Sequence, residues 1–502
     1  MELIKESKIY NKNLSTISVP IYTETDVIVP DVKPDIAKII HSNVRTSIES
    51  ANVNGNKVTF ELLAEASVIY LGDDDKVRSV QTSHNFRQTV EAKENLDEAK
   101  FSSNIKGQHL ECILINSRKL GLRLSAQLEV NFYAKEVIEY VTDIVEEGTQ
   151  KKRKTMSTCF NNFLGADGLV TKNILEVPVG KPSVSEILDI EATAEPGEAK
   201  AAGNKVLVKG DLSVRALYLG DDETINILEN VFPISEIVSI DSDIENESDV
   251  FSKLSVDRLH CLVSTDSDGE NRVISVDAYL KAYFTQKVTF DFERLDDVFS
   301  VKKDIAVTRM VTSLPKTRVE KEDVITISDV LNPDCPITNV ADLKISTTVM
   351  SDEVLDGKLS LRGEANVSAL YLNTADNSMG SAYKAIPFEK MIYVGECEAP
   401  DVRLEAVKPI YNINIAGEIE FSFNIKVDIT EVGEAEFDYL TDIDYAECEE
   451  ERDNRPYALR IYYAKDGDSI WSIAKKYRVS VGTLVCENGE SLAAGQKIII
   501  QG

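Results

Sequence analysis

The chain has 502 residues, with 85 acidic against 55 basic side chains and a net charge of −30. That length exceeds what one hydrophobic core serves, and 43% hydrophobic residues exclude a wholly disordered chain, so several folded domains are expected. An acidic surface repels phosphate backbones and anionic lipid, which excludes nucleic acid as the partner.

The first ten residues, MELIKESKIY, lack an apolar core of signal-peptide length, and no apolar run long enough to span a bilayer follows. Cytoplasmic residence without membrane insertion is expected. Seven scattered cysteines contain no Cys-x-x-Cys pair, which fits reduced thiols better than a disulfide framework or zinc site.

A period near 150 residues organises the body. Val58–Asp75 (VTFELLAEASVIYLGDDD), Val206–Glu223 (VLVKGDLSVRALYLGDDE) and Leu359–Asp376 (LSLRGEANVSALYLNTAD) align without a gap. Each follows a Gly-containing turn signal. The register extends upstream, where Ile36 and Ile39 fall opposite Val184 and Ile187, and opposite Ile337 and Val340. Apolar residues three apart after a proline predict a short helical turn on the sheet. Downstream, LSAQLEVNF, ISVDAYLKAYF and GEIEFSFNIKV alternate apolar and polar residues, as half-buried antiparallel strands do. The first and third copies share a sequel, Tyr140-Val-Thr-Asp-Ile144 and Tyr439-Leu-Thr-Asp-Ile443.

The expected fold is mainly β: three tandem β-rich, sandwich-like repeat domains over 1–150, 151–305 and 306–446. A linker (447–459) and a small β-α-α-β module (460–502) complete it. Lys151-Lys-Arg-Lys154 reads as a solvated boundary linker, and Glu447–Pro456 as an acidic one.

No nucleophile elbow, P-loop, paired-His zinc motif or dinucleotide glycine pattern is present, so no enzyme, catalytic residue or cofactor is expected. The four histidines stand far apart and read as structural, with no metal site. Gly72–Asp75, Gly220–Asp222 and Asp266–Glu270 are acidic enough to suggest calcium, but Asp and Gly between strand-like segments read first as hairpin turns.

The tail reads RIYYAKDGDSIWSIAKKYRVSVGTLVCENGESLAAGQKIIIQG. From Ile461 it carries a net charge of +1 against −31 for the remainder. Tyr462–Lys465 predicts a strand, and Asp468 or Ser469 the cap of a helix with Ile470, Ile473, Ala474 and Tyr477 at helical spacing. Ser480 predicts the cap of a second helix, and Lys497–Ile500 the closing strand. So small a module has little core, and it is expected to lean on the only tryptophan, Trp471. Trp471 is read either as core or as partner contact.

This pattern resembles the LysM family. The resemblance implies a glycan groove formed by Gly467, Asp468, Ser469 and Ile470 with Glu487, Asn488, Gly489 and Glu490; Ala494 departs from it, where proline commonly precedes Gly-Gln. The VPDVKPDIAKII motif (Val29–Ile40) in a repeated β body ahead of a LysM tail resembles the spore coat morphogenetic proteins of the SipL type, functionally akin to SpoVID. That resemblance implies a mother-cell protein at the forespore outer surface, in the spore coat. Its LysM module would bind the coat-base ATPase SpoIVA, beside other coat morphogenetic proteins, through Ile461, Tyr462, Lys465, Gly467, Asp468, Ser469, Ile470, Trp471, Glu487, Asn488 and Gly489. Peptidoglycan or another N-acetylglucosamine glycan is the alternative ligand.

Overall fold

A computed structural model describes residues 2–375, 378–397, 400–407, 409–445, 459–489 and 491–500. The expected acidic linker, with Glu447–Pro456, lies outside the described residues, as does Glu490.

The first repeat comprises β1 (Glu2–Ile28), β2 (Ile36–Asn54), β3 (Lys57–Gly72), β4 (Val77–Glu91), β5 (Lys100–Asn116) and β6 (Lys119–Val145). Every second residue of β3 from Val58 to Val68 is buried, as period-two alternation demands of a strand with one face on a core. Antiparallel pairing produces two sheets, β1-β6-β5 and β2-β3-β4. Their apolar faces meet through Ile21, Phe60, Leu62, Leu128 and Phe132, so the repeat is a sandwich.

The second repeat spends fewer, longer strands on the same plan: β7 (Thr149–Glu176), β8 (Val184–Gly220), β9 (Ile225–Thr265) and β10 (Asn271–Ser300). Gly203, at φ 58°, sits where β8 turns back on itself, and a Cβ on Gly197 would meet the Lys209 carbonyl across that hairpin. Residues 225–250 of β9 pair with β8 and residues 251–265 with β10.

The third repeat holds β11 (Ile305–Leu331), β12 (Ile337–Leu355), β13 (Lys358–Asn373), β14 (Met379–Tyr393), β15 (Asp401–Ala406), β16 (Ile410–Ile413) and β17 (Ile419–Tyr445). They form β11-β17-β15, with β16 also on β17, and β12-β13-β14.

Two expectations are overturned. The predicted helical turn at Ile36–Ile39 is the start of strand β2. Ile36 pairs with Gly72 and Ile39 with Tyr70, so three residues on β2 span two on β3. The extra residue is a bulge, which converts a strand spacing of two into the three that mimics a helix. The same shift sets Ile337 opposite Asn373 and Val340 opposite Tyr371. The basic run Lys151–Lys154 is no linker but part of β7, paired with the end of β10. Lys151 and Arg153 reach Asp143 at 2.7 and 2.8 Å, and Lys152 reaches Asp296 at 3.2 Å.

Equivalent residues of the three repeats converge in one cluster. Ile69, Leu217 and Leu370 meet there with Leu71, Leu219 and Leu372, Val77, Ile225 and Met379, and Ile40, Leu188 and Ala341. Ile138, Phe292 and Phe437 form a second such meeting point, followed by Val141, Leu295 and Leu440 with Ile144, Val298 and Ile443. Three copies of one surface touching one another is the arrangement of a closed ring with quasi-threefold symmetry.

The acidic clusters are hairpin turns. Asp75 and Glu223 hold positive φ, and Asp266 Oδ1 accepts the N–H groups of Asp268 and Glu270 at 2.9 and 3.0 Å.

Candidate partner-binding site in the carboxy-terminal module

The tail forms β18 (Arg460–Tyr463), α1 (Ile470–Tyr477), α2 (Val481–Asn488) and β19 (Lys497–Ile500), with β18 and β19 paired antiparallel. Ser469 caps α1: its hydroxyl accepts the Ser472 N–H at 3.1 Å, while the Ser472 hydroxyl accepts the Ser469 N–H at 2.9 Å. Ser480 stands at the start of α2 without a side-chain cap bond. Ala464, Ile470, Ile473, Leu484, Ile498 and Ile500 make the core.

Several residues expected at the site serve the fold of the module. Asp468 accepts from the Tyr462 hydroxyl at 2.7 Å and the Lys465 N–H at 2.8 Å, which hold its carboxyl below the usual range. Asn488 donates to the Leu484 and Ile499 carbonyls and accepts the Ile499 N–H, stitching α2 to β19. Gly467 and Gly489 hold φ of 86° and 84°, where a side chain is strained. Ile470 is buried, whereas Ile461 and Lys465 are exposed and Glu487 is half-buried. The loops carrying Gly467–Ser469 and Glu487–Gly489 approach one end of the module, since Ala464 and Asn488 both bond the Gly495–Gln496 turn.

Trp471 stands apart from that core, so the expectation that the module leans on it is corrected. Its indole N–H donates to Asp297 Oδ2 at 2.8 Å, and its ring meets Phe299 edge-on at 5.0 Å. Lys475, one turn on, bonds both oxygens of Asp297 at 2.7 and 2.9 Å. Arg478 pairs with Asp304, and the Val481 N–H donates to Gln150 at 3.2 Å. Burial pushes the Asp297 carboxyl up, but Lys475 and the indole outweigh it and hold the group below its usual range. Asp297, Phe299, Asp304 and Gln150 escaped the sequence reading. The signal was present: Arg294-Leu-Asp-Asp-Val298 is the second-repeat counterpart of Tyr140–Ile144 and Tyr439–Ile443, and it keeps the aspartate.

A second feature lies where the repeats meet. An open cavity of 1080 Å³ is lined from all three, at its polar end by His41, Asn43, Glu191 and Lys344. Positions equivalent in the repeat have diverged: His41, Asp189 and Asp342 form one set, and Asn43, Glu191 and Lys344 the next. Asn43 donates to Glu191 at 2.7 Å and to Asp189 at 3.3 Å, while Lys344 pairs with Glu191 and lies 3.7 Å from Asp342. Arg215 also reaches Asp342, at 2.5 Å. Burial, reinforced by Glu191, pushes Asp189 up to about 6; burial and the Lys344 charge push His41 down to about 4.

The SipL SPOCS-domain family model matches residues 35–114 and 183–264, and the LysM-domain model matches 462–501. No curated protein and no solved structure matches the chain. The SPOCS segments fall in the first two repeats, and the third shares their strand plan and their place in the ring. These families are binding and structural domains. With two SPOCS-domain segments in its body and a LysM domain at its end, the chain matches a spore coat protein of the SipL type.

Proposed function

We propose that the protein is a non-enzymatic adaptor of spore coat assembly. It acts in the mother cell at the forespore surface, where the LysM module binds the coat-base ATPase SpoIVA and the three repeats, as domains over 1–150, 151–305 and 306–446, serve as a rigid scaffold. One observation carries the protein-binding reading: the face of α1 bearing Trp471 and Lys475 already fits a protein surface, an aromatic edge beside a carboxylate. An indole with one polar group satisfied and its rings against another aromatic is the chemistry of a protein interface. Ile461, Lys465 and the exposed loop at Gly467–Ser469 extend the available surface.

The test is capture of purified SpoIVA by the full chain and by a chain ended after Tyr445. Capture by the first alone supports the adaptor; equal capture by both removes the module from the role. A glycan reading draws on the two loops that meet at one end of the module. Sedimentation with purified peptidoglycan, competed by chitin oligosaccharides, would favour it.

A further inference from the structure

Trp471 and Lys475, four residues apart, share one face of α1, opposite Ile470, Ile473 and Ala474 in the core, and Arg478 caps the end of the helix. That face is occupied. Its polar groups bond the body: Lys475 and the indole N–H both reach Asp297, and Arg478 at the helix end pairs with Asp304.

The receiving surface is part of the repeat plan. Asp143, Asp297 and Asp442 are equivalent, and each accepts the N–H of the next residue through one carboxylate oxygen. Asp143 takes its cations from the segment that follows it, Lys151 and Arg153 of β7. At Asp297 the cation comes instead from the carboxy-terminal module, 178 residues on. A position that in the first repeat binds the basic run following it in sequence is thus turned into a socket for the LysM helix.

We infer that the α1 face of the LysM module is a docking surface for a protein bearing paired carboxylates beside an aromatic edge, and that the second repeat of the same chain is its resident occupant. The inference deepens the adaptor reading and rests on it only for the outside partner. An incoming protein of the same chemistry competes with Asp297, Phe299 and Asp304, so release of the module from the body precedes or accompanies its capture. The charge balance favours the closed state, since the body is strongly acidic and the module is not.

Trp471 is the only tryptophan, so its fluorescence reads the contact in the intact protein. In the full chain, the indole emission should be shielded from iodide and acrylamide. Asp297→Asn keeps the bond to the Val298 N–H while removing the charge, and Lys475→Glu acts from the module side. Either change should raise quenching several-fold and shift emission to the red, with far-ultraviolet dichroism unchanged. Asp297→Lys combined with Lys475→Glu should restore shielding. Equal quenching in the parent and in both single variants, all folded, would overturn the latch. A Phe299→Ala chain measured for SpoIVA capture separates the two ideas. Tighter capture by the opened chain supports competition. Loss of shielding with no capture by either protein leaves the latch standing and removes the partner.

Discussion

Gly220 lies so close to Pro182 that a Cβ on the glycine would fall 2.6 Å from the proline Cγ. Gly72 and Pro34 repeat the relationship at 2.8 Å. In the third repeat the corresponding pair is Asn373 and Cys335, so both partners have changed together. The contact pins the chain entering β2, or entering its counterpart β8, against the turn that follows β3 or the end of β8. Tyr70 and Tyr218 add a hydroxyl bond to the Pro34 and Pro182 carbonyls, at 3.3 and 3.2 Å. Gly220→Ala should therefore destabilise by roughly 1–3 kcal/mol through overpacking. Pro182→Cys in the same chain should recover most of the loss. Urea midpoints of the two proteins provide the check, and an Ala variant as stable as the parent would deny the contact its role.

Lys344 and Glu191 occupy equivalent places in different repeats, yet pair with each other across the cavity. Removing the lysine leaves Glu191 and Asp342 facing each other with less counter-charge. Breaking a largely buried pair from one side costs roughly 3 kcal/mol, whereas replacing both partners by apolar residues is often neutral. Lys344→Met should accordingly lower stability far more than Lys344→Met with Glu191→Met. A double-mutant cycle measured by denaturant unfolding gives the coupling directly; a coupling of zero would mean that cavity water screens the pair.

Two titratable groups that share Glu191 and Lys344 as neighbours, His41 in the cavity and Asp189 beside it, set opposing pH dependences. Asp189 has a folded value raised to about 6 from 3.8, so between those values the unfolded chain holds fewer protons. Stability from this group falls as pH rises through that window, and the loss persists above it. His41 is lowered from 6.5 to about 4, so the unfolded chain takes the proton first and stability falls as pH drops through that range. Glu191 and Lys344 act on both groups, and Asn43 and Asp342 act on Asp189 as well. Asp189→Asn should raise the thermal midpoint at pH 8 and leave it unchanged near pH 3. His41→Gln should help at pH 4 to 5 and have no effect at pH 8. Thermal scans across pH test both signs.

Much of this fold is legible in the chain because strand alternation and repeat spacing are local or nearly local signals. Val58 to Val68 announces a half-buried strand by itself, and the Tyr-Leu motif announces three copies. What escaped was set by pairing. The helix-like spacing of Ile36 and Ile39 arises from a bulge opposite Gly72 and Tyr70, which the partner strand defines. Lys151–Lys154 looks like a linker until its carboxylate partners, Asp143, Glu293 and Asp296, are known. Trp471 reads as the core of a small module because its acceptor lies 174 residues earlier. The ring itself, in which equivalent leucines of three repeats meet, is a tertiary consequence with no local mark.

Arg294 is 3% exposed and stands where Tyr140 and Tyr439 stand in the other repeats. Its Nε and one terminal nitrogen find no hydrogen-bond partner, its carboxylate contact, Asp296, is 3.6 Å away, and its guanidinium lies 5.3 Å from the Phe437 ring centroid. Around it are Tyr140, Phe292 and Phe437, an aromatic cluster that offers a cation–π contact but little solvation. A buried guanidinium with incomplete pairing costs more than that contact returns, about 2 kcal/mol for a desolvated cation–π contact against several for taking the charge out of water. Arg294→Tyr supplies the side chain that the equivalent positions already accommodate. The variant should unfold at higher urea concentration by an amount corresponding to roughly 1–2 kcal/mol, with an unchanged denaturant slope. A lower midpoint would show that the cation–π contact and Asp296 together hold the guanidinium more strongly than its burial penalises it.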